Sequence, residues 1–63
     1  MIRSVIKSAK GMVLVFDEKG KQMPQYQGRY DKVRGRILHD APADAVFWHD
    51  EVRQLKAVGR EEW

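Results

Sequence analysis

The sequence predicts a small α+β domain. It should hold an antiparallel sheet of three to five strands, a β-hairpin first and a further strand after the helix. One amphipathic helix, about residues 29–41, packs on one face. Three segments predict this: the run Met12-Val13-Leu14-Val15-Phe16, an apolar stripe through Tyr30, Val33, Ile37 and Ala41, and the aromatic-rich segment Ala45-Val46-Phe47-Trp48.

The first run is β-branched and aromatic and ends in Asp17-Glu18-Lys19-Gly20. A short, continuously apolar run closed by a turn reads as a strand buried on both faces. Asp at the first turn position and Gly at the fourth suit a type I turn. The chain then returns through Lys21-Gln22-Met23-Pro24-Gln25-Tyr26. Proline cannot donate to a ladder, so this return strand belongs at an edge or pairs only briefly.

The helix opens at Gly28 and Arg29, and its apolar residues recur at i, i+3, i+7 and i+11, with Leu38 at the rim of the stripe. Asp31 complements the positive end of the dipole. Ala41-Pro42 ends the helix, because a residue before proline is pushed out of the helical region. Gly35 costs about 1 kcal/mol relative to alanine inside a helix. Close approach of helix to sheet is the expected reason.

A strand over residues 45–48 follows the Pro42-Ala43-Asp44 turn. Residues 2–10 fit a helical stripe through Ile2, Val5, Ile6 and Ala9, or a strand joined to the next at Lys10-Gly11. The strand is preferred, because a turn and a half of isolated helix is marginal. Residues 52–58 stay open between a helix capped by Asp50 and Gly59 and a strand returning from Trp48. The expected core comprises Val5 or Ile6, Leu14, Phe16, Tyr30, Val33, Ile37, Val46, Trp48 and Leu55.

At 63 residues the chain forms one domain, residues 1–63, and a chain of this size buries only about 60% of its unfolded surface. Cysteine is absent, which removes disulfides and thiolate metal sites as aids to stability. Regular packing or self-association must make up the difference. No apolar run is long enough to span a membrane. Charges interrupt Met1–Lys7, so no signal-peptide core is expected and a cytoplasmic location is the default.

An enzyme is not expected, and neither a cofactor nor a small-molecule substrate is implied. His39-Asp40 and His49-Asp50 suggest metal chemistry. Yet one pair falls at the helix end and the other after the next strand, whereas a catalytic metal needs three converging ligands and an open position. Ser4 and Ser8 have no strand-turn-helix elbow, and the glycines are scattered singly. About 60 residues rarely enclose a pocket of several hundred Å³.

Two binding readings remain. Residues 1–39 carry nine basic against three acidic side chains, and residues 40–63 carry three against six. Arg29, Lys32 and Arg36 fall at i, i+3 and i+7 on one helix flank, and Lys7 and Lys10 add to them. Such a stripe suits weak, sequence-tolerant nucleic-acid binding, with Tyr26, Trp48 or Trp63 for stacking. The other reading starts from apolar surface: Met1, Met12, Met23, Tyr26, Trp48 and Trp63 are many large side chains for a sheet whose second face has no helix assigned to it. An open face or edge invites another chain. The leading expectation is therefore a non-enzymatic interaction module, a homodimer or one docked on another protein, with Met23, Tyr26 and Trp63 as candidate interface residues.

Overall fold

The computed structural model describes residues 1–63 and contains one helix packed on a five-stranded mixed sheet. The strands are β1 (Ile2–Ser8), β2 (Met12–Asp17), β3 (Gly28–Arg29), β4 (Val46–Asp50) and β5 (Leu55–Val58); α1 spans Tyr30–Asp40. The order across the sheet is β3-β2-β1-β4-β5. No helix is long and apolar enough to cross a membrane.

Residues 2–10 form a strand and its turn. Gly11, at φ +81°, closes the β1–β2 hairpin by donating its N–H to Ser8 O at 3.0 Å. The Ser8 hydroxyl accepts from Met12 N at 3.2 Å, satisfying a donor at the start of β2. Residues 55–58 are a strand too, which resolves the second open end.

After β2 the chain returns beside it in pieces. Phe16 and Gln22 form an isolated bridge, Met23 N donates to Val15 O at 2.8 Å, and a 3₁₀ turn at Pro24–Tyr26 interrupts pairing until β3. Proline's missing N–H accounts for the break. The first hairpin is thus β1–β2, and the expected hairpin from β2 into residues 21–26 is reduced to these contacts.

One pairing departs from the all-antiparallel sheet the sequence predicts. β4 lies beside β1 and parallel to it, with Val5 opposite Phe47 and Ile6 opposite Trp48. The helix starts from β3 at one edge and carries the chain past β2 and β1 before β4 begins. Such a crossover returns the next strand in the same direction, which a tight hairpin cannot do.

Nine residues are buried: Ile2, Val5, Val13, Val15, Val33, Ile37, Ala41, Phe47 and Trp63. Val5, Val33 and Ile37 are where the sequence places them. In β2, however, Val13 and Val15 face the helix, and Leu14 is 42% exposed. In β4 it is Phe47 that turns inward, with Val46 and Trp48 half-buried, and Leu55 is 54% exposed. An uninterrupted apolar run looks the same in either register, and a one-residue shift exchanges the faces.

The tail after β5 folds back over the helix-bearing face. Trp63 lies 5.1 Å, ring centre to ring centre, from both Tyr30 and Phe47, and its carbonyl accepts a hydrogen bond from the Tyr30 hydroxyl. Arg60 reaches three carbonyls beyond the helix's last turn or in it: Leu38 at 3.5 Å, Ala41 at 3.3 Å and Pro42 at 2.5 Å. Those acceptors have no partner within the helix itself. Helix and tail together cover one face of the sheet.

Candidate docking face

Alternation along a strand sends every second side chain to the other face, and residues paired across strands share a face. The side chains opposite the helix can therefore be read from the registers. The middle row runs Leu14, Ile6, Trp48, Ala57 from β2 to β5. One flanking row contains Phe16, Ser4 and Val46. The other begins with Arg29 and Met12 on β3 and β2 and ends with Asp50 and Leu55 on β4 and β5.

This face is apolar at its centre and charged only at two places in one outer row, Arg29 and Asp50. Met12, Leu14 and Leu55 are each more than two-fifths exposed, and Ile6, Phe16, Val46 and Trp48 are half-buried by their in-plane neighbours. The run Met12–Phe16 is apolar on both sides but covered on one, which corrects the expectation of a strand buried on both faces. No element packs on the second side.

The candidate interface residues lie elsewhere. Trp63 is 2% exposed within the protein's own core and has no surface to offer a partner. Met23 and Tyr26 pack against the core. Tyr26 also donates its hydroxyl to Asp40 at 2.6 Å. Leu14, Trp48 and Leu55, which the sequence assigns to the core, occupy the open face instead. The available signal was the unbroken apolar run itself: one helix covers one face, so the second set of side chains has no cover.

The basic residues form no single stripe. Lys32 and Arg36 are exposed on the outer side of α1. The Arg36 guanidinium lies 5.7 Å from the Tyr26 ring centre. Arg29 Nε is 3.7 Å from the Asp31 carboxylate. Lys10 stands in the β1–β2 turn, and Lys7 is half-buried with Nζ 4.0 Å from the centre of the Tyr30 ring. Gly35 lies on the exposed side of α1, and a Cβ there would meet nothing within 4 Å. Close helix–sheet approach is therefore not the reason for this glycine.

The His-Asp pairs are separate local features. Asp40 accepts from Tyr26 and lies 2.8 Å from His39 Nδ1. The Tyr26 hydrogen bond, and secondly the one from His39, holds the Asp40 carboxyl below the usual carboxylate range. The same bond pushes the Tyr26 hydroxyl above its ordinary value. His49 stands in register with Lys7, on the helix-bearing side of the sheet. No three His, Asp or Glu side chains converge as metal ligands would. A hollow of about 300 Å³ at the ends of β1 and β4 is lined by Lys7, Ser8, His49, Asp50 and their neighbours. Its lining combines one lysine with two carboxylates, Asp50 and Glu51, a mixture that selects neither anion nor cation.

Compared with protein-family models, curated proteins and solved structures, the chain matches none.

Proposed function

We propose that this chain is a non-enzymatic interaction module that docks on a protein surface through the uncovered face of its sheet. The observation that carries this reading is the row Leu14–Ile6–Trp48–Ala57, apolar across four strands and free of charge. Apolar surface left in water costs about 25 cal/mol per Å². Contiguous exposed patches beyond a few hundred Å² mark interaction sites. Interface cores are depleted in charge and enriched in Trp, Phe and Met, which describes this face.

Nucleic-acid binding through Arg29, Lys32 and Arg36 has less support. Asp31 and Asp40 lie among those cations, and the nearest aromatic ring, Tyr26, is already packed and hydrogen-bonded. The open sheet face carries a single cation, Arg29, in the same row as Asp50, too little charge to track phosphates.

The test is the double variant Leu14→Lys, Leu55→Lys in dilute solution. Its unfolding free energy should stay within about 0.5 kcal/mol of the parent, because surface changes outside a core are nearly neutral. The native parent should also enhance the fluorescence of an apolar-surface dye, and the variant should lose that enhancement. A loss of about 2 kcal/mol or more would mean the face belongs to the fold's own core, and a parent that does not bind dye would mean the patch is not available. Either result overturns the reading.

A further inference from the structure

We infer that the occupant of the open face is a second copy of this chain, packed face to face about a two-fold axis parallel to the strands and centred on β1. This rests on the docking reading above and adds a partner and a geometry to it.

The arrangement follows from strand order and register. With β1 at the centre of β3-β2-β1-β4-β5, a two-fold axis along it sets β1 over the partner's β1, β2 over the partner's β4 and β3 over the partner's β5. Rows are preserved by this operation. In the middle row Ile6 then meets its own symmetry mate, and Leu14 lies against the partner's Trp48. In the next row Phe16 lies against the partner's Val46. The Leu14–Trp48 and Phe16–Val46 contacts each occur twice and set a larger side chain on a smaller one, the alternation that lets facing layers interdigitate.

Charge selects this axis over the perpendicular one. Arg29 and Asp50 belong to the same outer row, on β3 and β4. An axis along the strands sets Arg29 over the partner's β5, one strand from the partner's Asp50. Strands are about 4.8 Å apart and packed sheets about 10 Å apart, a span that an arginine and an aspartate cover between them. Two symmetric ion pairs result. An axis perpendicular to the strands would set this row on the row of Phe16, Ser4 and Val46, where no charge answers it.

Area sets the strength. Five strands and three rows give a face of about 20 × 20 Å, roughly 400 Å² in plan per copy. That is about half the surface a standard partner buries. A face below the standard size makes a weak, reversible dimer that forms towards the millimolar end of protein concentration.

Sedimentation equilibrium from micromolar to millimolar protein tests this, with Arg29→Asp, Asp50→Arg, the two combined, and Leu14→Lys. Asp is a favoured N-cap residue and position 29 is the N-cap of α1, so Arg29→Asp leaves the fold supported. The parent should pass from monomer to dimer across the range. Each single reversal should weaken association by about tenfold, through two lost pairs and two repulsions. The combined variant should recover to within about threefold of the parent, because the ion pair is rebuilt with its signs exchanged. A parent that stays monomeric at millimolar concentration overturns the second-copy inference and leaves the docking reading to its own dye and stability test. A dimer unaffected by Arg29→Asp and by Leu14→Lys pairs elsewhere, at the β5 edge for example, and overturns it too. Two single losses without recovery in the combined variant reject the two-fold geometry.

Discussion

The β4–β5 turn provides a direct test of how local backbone geometry limits stability. Glu51 N donates to Gln54 O at 2.8 Å, and Asp50 pairs with Leu55, leaving a two-residue loop of Val52 and Arg53. Both have positive φ, +47° and +67°. That is the type I′ connection whose twist matches the flanking strands, and its preferred residues are Asn-Gly. A side chain in the left-handed region costs roughly 1–2 kcal/mol per residue, and a β-branched one is a genuine outlier there. Val52 is 83% exposed, so its removal forfeits almost no packing. Replacing Val52-Arg53 with Asn-Gly relieves roughly 2–4 kcal/mol of strain, of which the added freedom of glycine in the unfolded chain returns about 1 kcal/mol. A net gain of about 1–3 kcal/mol is expected. For a domain of this size, with about 3–9 kcal/mol in total, that is a large fraction. Urea unfolding should show a higher midpoint with an unchanged slope. Val52→Asn alone and Arg53→Gly alone should each recover part of the gain. A double variant no more stable than the parent would refute the strain argument, because no packing loss at these positions is available to mask it.

Gly35→Ala should stabilise by up to about 1 kcal/mol, since the exposed Cβ meets nothing and only helix propensity changes; thermal unfolding should show a midpoint higher by several degrees. Trp63→Ala removes a buried ring packed on Tyr30 and Phe47, a loss of about 3–5 kcal/mol that consumes most of the stability of a domain this small. The near-ultraviolet dichroism should collapse, and a variant that still unfolds cooperatively within about 1 kcal/mol of the parent would place the tail outside the core. Acid should destabilise the fold. Hydrogen bonds from Lys21 N and then Lys19 N hold the Asp17 carboxyl below the usual carboxylate range, and Tyr26 and then His39 do so for Asp40. Groups with depressed folded values contribute stability above about pH 4, lost as pH falls through the folded values. Tyr26 is raised above 10.0, so its share is complete below that pH and lost as pH rises through the folded value. Tyr26→Phe should therefore move the Asp40 titration, followed by NMR, up towards the ordinary carboxylate range; an unmoved titration would mean the hydrogen bond is not formed in solution.

Local chemistry made several elements legible. The helical spacing of Tyr30, Val33 and Ile37, the stop at Ala41-Pro42 and the turn at Asp17–Gly20 depend on neighbours a few residues apart, and the structure forms each where the sequence implies it. The presence of an uncovered second face was also legible, from counting large side chains against a single helix. Which residues occupy that face was not. Met12–Phe16 is apolar at every position, so its pattern is equally consistent with Leu14 inward or outward. The choice is made by long-range registers, Val5 on Val15 and Val5 on Phe47, that align one set of side chains under the helix.

Trp63 shows the same division. Its size marked it as a candidate interface residue, but burial against Tyr30 and Phe47 comes from the tail folding back across the helix-bearing face, a contact between residues thirty-three and sixteen positions away in the chain. The amino-acid sequence by itself determined the central helix and the strands near residues 12–16 and 45–48, because propensity, capping and turn chemistry act over a few bonds, while residues 52–58 stayed open between helix and strand. Tertiary structure alone decided the parallel β1–β4 pairing, the inward register of Val13 and Val15, and hence the apolar row left facing solvent. Those outcomes depend on where a crossover sets down a distant strand, and no local pattern carries that information.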